Sequence, residues 1–304
     1  MRRIPSKSRF TLAACGLAAV TLLLSACSKA TEFEYIDEVV EQPANGETNV
    51  VVTDENGNSE TFTTGTTIGV YVINEDGSVS CQMVEVDEDG NAALPATGQG
   101  STMVAYSPYQ EEWGDSAIVT NPVFTVQDNQ TKEESYDASD LMIGVSTSKA
   151  RTRADISPMT FSHMLAKVAI HVVDETGRVN LNAINAELLS LYSSVQVDLL
   201  HQAVTTLTDV RTNIRMLSEM TTDWRISSYG IVSPQEVADG TEFYAISLFG
   251  NRQTYPIPEG TTLEGGKTYT INMRLTEHGL IPDGWTIGDW DDEAENSIDV
   301  KVNN

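Results

Sequence analysis

The sequence predicts an all-β fold, with two antiparallel β-sandwich domains in tandem. Three observations predict it. Alternation of apolar and polar residues recurs along the chain, Asp-Gly and similar steps interrupt it at hairpin spacing, and stretches rich in β-branched residues lie between. "KTYTINMRL" shows the alternation best: Tyr269, Ile271, Met273 and Leu275 fall on one face, with Thr270, Asn272 and Arg274 on the other. That is the period of two of a half-buried strand.

In chain order, the first ten residues carry Arg2, Arg3, Lys7 and Arg9, and "TLAACGLAAVTLLLSA" follows. A basic front, a short apolar run and small residues make a secretory signal over residues 1–26; the run is too short to be a spanning helix. Its end, Leu24-Ser25-Ala26-Cys27, resembles the lipobox of bacterial lipoproteins, whose cysteine receives a diacylglycerol and becomes the new first residue. Lipidation at Cys27 is therefore expected. Of the three cysteines, Cys15 leaves with the signal and Cys27 carries lipid, so Cys81 remains alone and no disulfide supports the fold. Stability must come from a buried core.

The formal charge is −26, from 18 Lys+Arg against 44 Asp+Glu. Between Lys29 and Lys132 there is no basic residue at all. Such a surface repels phosphate backbones, which excludes nucleic acid as a partner; acyl chains rather than protein charge would hold the protein at a membrane.

Val50–Val52 followed by "TDENGNSE" predicts a strand entering a turn. "IGVYVINEDGSVSCQMVEVDEDGNAALP" has Asp76-Gly77 and Asp89-Gly90 flanking an alternating stretch. Asp-Gly supplies the positive φ angles of tight hairpins. "LAKVAIHVVDETGRVNL" and "EFYAISLFGNRQTYPIPEG" repeat the pattern. Residues 181–200, LNAINAELLSLYSSVQVDLL, have helical composition but alternate at Val195, Val197 and Leu199, and strands are expected there. Helices should be short. The polar, basic stretch "STSKARTRADISP" (146–158) suggests a boundary, giving domains at 27–150 and 151–304. Lys149, Arg151 and Arg153 would make an exposed linker open to trypsin-like cleavage. A surface loop within one domain is the alternative.

Chemical motifs are few. In "EGTTLEGGKTYT", Gly266-Lys267-Thr268 resembles the end of a phosphate loop, but Gly260 lies at the wrong spacing and an alternating strand follows where a helix is required. A hairpin glycine pair is the expected role. "DENGNSE" and "DEDGN" lack the sixth-position glycine and twelfth-position acid of a calcium loop. An acidic loop is the plainer account of Asp289, Asp291, Asp292, Glu293 and Glu295. His163, His171, His201 and His278 show no metal-ligand spacing, and His163 is expected to be a satisfied structural residue. Cys81 has no identifiable base nearby in sequence, and no G-x-S-x-G elbow occurs. No catalytic residue, cofactor or metal site is expected, and the chain does not read as an enzyme.

Several phrases together resemble the fimbrillin family of surface lipoproteins: "TTGTTIGVYV" (63–72), "VAYSPYQ" (104–110), "ASDLMIGVS" (138–146), "MTFSHMLAKVAIHV" (159–172), "LEGGKTYTINMRL" (263–275) and "IGDW" (287–290). The resemblance implies transthyretin-like sandwiches and a subunit of outer-membrane fimbriae, as stalk, tip or anchor, without cofactor. Its partners would be other fimbrial subunits, the outer membrane through the lipid, and host proteins or glycans. It also implies assembly by strand exchange, in which an unpaired edge and an apolar face are satisfied by one extended segment. The alternating Ile298, Val300 and Val302 are the candidate donated strand; a terminal strand in its own sheet is the alternative. "FEYIDEVV" (33–40) is the candidate removable strand. Between Cys27 and Lys132 no arginine is available where an activating cut would fall, which favours a subunit that keeps its lipid, or cleavage by another protease. A second reading is a lipoprotein that grips glycans or host proteins, with Tyr106, Tyr109 and Trp113 stacking on sugars or, on ordinary burial preferences, packing inside.

Overall fold

The computed structural model describes residues 48–49, 52–53, 59–60, 62, 64–88, 91–92, 101–147, 161–222, 225–257 and 259–290. Two short pairings lie at the front: β1 (Thr48–Asn49) joins β6 (Asn91–Ala92), and β2 (Val52–Thr53) joins β3 (Ser59–Glu60). The first long hairpin, β4 (Thr67–Ile73) and β5 (Val79–Glu85), closes as its Asp-Gly step predicts. Gly77 has φ +80°, and Asp76 accepts the Ser78 amide at 2.9 Å. With β7 (Thr102–Ser107), β9 (Met142–Thr147) and β10 (Phe161–His163) these strands make a first sheet of order β10-β9-β7-β4-β5, antiparallel throughout.

The second sheet has the order β14-β15-β11-β20-β21, from β11 (Ala166–Asp174), β14 (Leu217–Thr222), β15 (Arg225–Val232), β20 (Lys267–Thr276) and β21 (Gly279–Asp289). The third runs β13-β12-β17-β18, from β12 (Ile184–Asp198), β13 (Ala203–Arg215), β17 (Glu242–Leu248) and β18 (Asn251–Pro256). A small pair, β16 (Gln235–Val237) with β19 (Thr261–Leu263), lies beside them. Within residues 181–200, Ile184–Asp198 is strand, as expected, preceded by one 3-10 turn at Leu181–Ala183. The helices, α1 (Ala117–Thr120) and α2 (Glu133–Asp137), are short. None among the described residues is long and apolar enough to cross a membrane.

The second and third sheets share one core. Val168, Ile170, Val172, Tyr269, Ile271 and Met273 pack in the same cluster as Leu188, Val195, Val197, Tyr244 and Ile246. The Tyr244 hydroxyl reaches Met273 Sδ at 3.2 Å across it. Burying each such aliphatic side chain stabilises the fold by about 1.5–3 kcal/mol relative to leaving it exposed.

Three details differ from the sequence expectations. β11 and β20 pair parallel, Val168 opposite Tyr269 and Ile170 opposite Ile271, inside an otherwise antiparallel sheet. Both are central strands with apolar inner faces, and a long connection through the third sheet lets them lie side by side in the same direction. The turn at Gly177 (φ +61°) is an arch, because β11 lies in the second sheet and β12 in the third. Gly265-Gly266 is likewise no hairpin: β19 pairs with β16, and the glycines carry the chain into β20. A Cβ on Gly265 would sit 2.5 Å from the Met164 carbonyl oxygen, so only glycine fits that passage.

Candidate functional site

The lipidation, cleavage and donated-strand candidates lie outside the described residues: Cys27, the linker residues Lys149, Arg151 and Arg153, and the terminal Ile298, Val300 and Val302. The described residues form two contrasting sheet faces and a polar joint.

The first sheet is apolar on both faces. On one, Tyr71, Val104, Tyr106 and Ile143 join Trp113 and Phe124 in the main core. The Tyr106 ring lies 4.7 Å from Trp113 and 5.8 Å from Tyr71, stacked or tilted on each. Gly69 is required there, because a Cβ would fall 2.2 Å from the Tyr106 ring. Trp113 and Tyr106 are thus core residues, not a sugar platform. On the other face Ile68, Val70, Val84, Ala105 and Phe161 make a second, separate cluster. Register accounts for the split: Val70 faces Ala105 and Ile68 faces Val84, whereas Tyr71 faces Val104. Phe62 closes part of this second face, edge-on to Phe161 at 5.0 Å.

The joint between the first sheet and the rest of the molecule is held by polar groups. β8 (Val123–Thr125) leaves the first sheet's connections and pairs with β12, Phe124 opposite Val195. Just beyond, Gln130 is fully buried and its amide copies a strand edge. Nε2 donates to the Ile231 carbonyl at 2.8 Å, and Oε1 accepts the Ile231 N–H at 2.8 Å. Across the joint, His163 Nδ1 lies 2.9 Å from Asp140 Oδ1, and its ring stacks on Trp290 at 4.1 Å. His163 is a satisfied structural residue, as expected. No sequence signal marks Gln130; it sits in a polar loop like any surface glutamine.

The outer face of the second sheet is a trough of about 770 Å³. Its floor is small and polar. Ala169, Ser227 and Thr270 are almost fully buried, and His171 Nδ1 is 2.7 Å from Ser227 Oγ. Lys167, Arg225 and Arg274 stand along it with Glu219 and Asp283. Arg274 is shared between Glu175 (3.1 Å) and Asp283 (3.0 Å).

Other reactive groups are in structural use. Burial pushes the Cys81 thiol above its ordinary pKa, which disfavours the nucleophilic thiolate. Burial raises the Asp174 carboxyl, but hydrogen bonds outweigh it and leave the group below the usual value; they come from the Thr176 hydroxyl (2.6 Å) and the Val179 (2.8 Å), Thr176 (2.8 Å) and Arg178 (3.0 Å) amides. Asp174 thereby holds the arch at Gly177. Among the described residues no three His, Cys, Asp or Glu side chains group as a metal site.

Comparison with known proteins follows the same line. The family model described as "Fimbrillin-like" matches residues 48–290. A solved candidate cell adhesion protein of Bacteroides uniformis ATCC 8492 is 18% identical, with a TM-score of 0.59 over 82% of this chain and 100% of its own. One from Bacteroides ovatus ATCC 8483 is 15% identical, with a TM-score of 0.60 over 81% of this chain and 99% of its own. The tip fimbrial protein Mfa3 of Porphyromonas gingivalis, solved with a C-terminal truncation, is 8% identical, with a TM-score of 0.50 over 80% and 98%. No curated protein matches by sequence. At these identities the solved structures speak for the fold alone. The family model spans most of the chain, from the first short strand to Trp290, just past β21, and on that ground the chain belongs to the fimbrillin-like family.

Proposed function

We propose that this protein is a structural and adhesive subunit of cell-surface fimbriae, tethered to the outer membrane through lipid on Cys27, and assembling with other fimbrial subunits by strand exchange. It acts without catalysis or cofactor. Membership of the fimbrillin-like family supports the fimbrial role.

One observation carries the strand-exchange part. The first sheet's second face is a distinct apolar cluster of Ile68, Val70, Val84, Ala105 and Phe161, and only short pairings flank it in the described chain. A β face of that kind needs an apolar cover. A segment preceding residue 48, such as 33–40, would provide it before assembly, and a strand from a neighbour would replace it afterwards. The alternating Ile298, Val300 and Val302 are the proposed donated side chains. The proposal keeps two sandwich modules, 27–150 and 151–304, with Lys149, Arg151 and Arg153 in the segment between. The first sheet's strands from Thr67 to Thr147 and the second and third sheets from Ala166 onward support the division, although β10 joins the first sheet from beyond residue 151.

The test is to mix the chain with a copy lacking residues 27–47 and to look for SDS-resistant ladders. Ladders should form, and a triple change Ile298→Asp, Val300→Asp, Val302→Asp in the partner should abolish them. If trimming never yields oligomers, strand exchange fails. Independently, Cys27→Ala should release the protein from membranes; retention after salt washing would overturn the lipid anchor.

A further inference from the structure

We propose that a polar pocket formed by β12, β13 and residues 128–129 binds a saccharide that carries one carboxylate, a uronic or sialic acid, with the Arg215 guanidinium on the carboxylate. The proposal goes beyond the fimbrial reading and needs neither strand exchange nor the lipid, so each can fail without the other.

Backbone strain is the first ground. Ser190 is a non-glycine residue at φ +52°, within the register shift between Leu188 and Leu191 where β12 bulges against β13. Such a conformation costs about 1–3 kcal/mol and persists only where its surroundings hold it. Two β13 side chains do so. Asn213 Oδ1 accepts the Ser190 N–H at 2.9 Å, and Arg211 Nη1 donates to the Ser190 carbonyl at 2.6 Å. Arg211 is fixed in turn, its guanidinium 3.9 Å from the centre of the Tyr192 ring. The loop is pinned as well: the Arg215 N–H donates to the Asp128 carbonyl at 2.8 Å, and the Gln130 N–H donates to the Arg215 carbonyl at 2.9 Å. A pocket with walls already held in place spends less of its binding energy on ordering.

The lining is the second. The pocket holds about 610 Å³, within the roughly 300–1,000 Å³ of small-ligand sites. Every residue that lines it is polar or charged. An apolar ligand gains nothing there, whereas ring hydroxyls both donate and accept, as do the amides of Asn129 and Asn213 and the hydroxyls of Ser190 and Thr212.

Charge is the third, and it selects the acid. The Arg215 guanidinium makes no hydrogen bond or ion pair among the described residues, and neither does the Asp128 carboxylate. The other acid in the lining, Glu187, is already matched by Arg252 at 2.7 Å. One open guanidinium and one open carboxylate therefore share the pocket, with Arg211 committed to the bulge. A guanidinium fork suits a carboxylate, and a carboxylate suits hydroxyl hydrogens. A sugar acid satisfies both groups at once. A simple anion reaches Arg215 only against the repulsion of Asp128, and a neutral sugar leaves Arg215 unmatched.

The test titrates the full chain carrying Cys27→Ala with methyl β-D-glucuronide and with N-acetylneuraminate, by calorimetry and saturation-transfer NMR. At least one should saturate, about tenfold more tightly than methyl β-D-glucoside, acetate or inorganic phosphate. Arg215→Gln should weaken it about tenfold, and Arg215→Lys should recover part of that loss. Asp128→Asn should narrow the preference for the sugar acid over acetate. Should Arg215→Gln lower the melting temperature, Ser190→Gly replaces it: glycine keeps the positive φ, and loss of the hydroxyl should weaken binding about threefold. Arg178→Gln, outside the pocket, should leave binding unchanged. No saturation by either sugar acid below about 20 mM would overturn the proposal. Equal affinity for acetate or phosphate would overturn the sugar, and binding insensitive to both Arg215→Gln and Ser190→Gly would overturn the site.

Discussion

The outer faces of the first and second sheets solve the same problem in opposite ways. In the first, Ile68, Val70, Val84 and Phe161 present a surface of branched and aromatic side chains that has no use for water. In the second, Ala169, Ser227, Thr268 and Thr270 present methyls and hydroxyls, with charges standing at the sides. The first kind of face demands a cover made of apolar side chains, and its burial dominates stability. The second tolerates a polar, charged or exchangeable occupant at small energetic cost.

The largest expected effect tests the apolar face. Phe161→Ala removes the ring that packs edge-on to Phe62 and should lower stability by about 3–5 kcal/mol in urea unfolding. A loss below about 1 kcal/mol would mean this face is not an integral part of the fold.

Gly69→Ala comes next and separates the two faces of the same sheet. A Cβ there meets the Tyr106 ring at 2.2 Å, so overpacking should cost about 1–3 kcal/mol. Adding Tyr106→Leu should recover part of that loss, giving a favourable coupling in a double-mutant cycle. Simple additivity would show that the two side chains do not compete for one space.

The third prediction concerns the end of the second sheet and its pH dependence. The folded Asp174 carboxyl lies below its ordinary value, so its contribution is complete above the unfolded value of about 3.9 and is lost as pH falls through the lower folded value. Asp174→Asn, which removes the charge-assisted hydrogen bonds, should cost about 1–3 kcal/mol at pH 7. The gap between the two proteins should narrow steadily below pH 4. A gap that stays constant to pH 2 would show that the carboxylate charge is not what holds the arch.

The smallest effect sharpens the contrast directly. Thr270→Val keeps the shape of the trough floor and should change stability by less than about 1 kcal/mol, although Thr270 is as buried as many core residues. A loss comparable to that at Phe161 would erase the distinction between the faces.

Much of the fold was legible because strand chemistry is local. The period of two in residues 267–275 located β20 and its inward face, with Tyr269, Ile271 and Met273 all buried. Asp76-Gly77 located the β4–β5 hairpin, and Phe249-Gly250, both at positive φ, closes β17 onto β18 with Leu248 opposite Asn251. In the first sheet "IGVYV" is buried on every residue, as a strand covered on both faces is. The site was far less legible. Gln130 and the trough depend on residues brought together from distant strands, and the lipidation, linker and donated-strand candidates fall outside the described residues.

By itself the sequence determined where strands begin, which way their side chains alternate, and that turns join them, because φ preferences and a two-residue period act within a few positions. Only the tertiary structure decided which strands are neighbours: that the glycines at 177 and 265–266 pass between sheets instead of folding back, that β11 lies parallel to β20, and that β8 crosses to β12. A turn reverses the chain whichever sheet receives the next strand. The choice is made by burial of large apolar faces between elements far apart in sequence, and no short stretch of residues contains it.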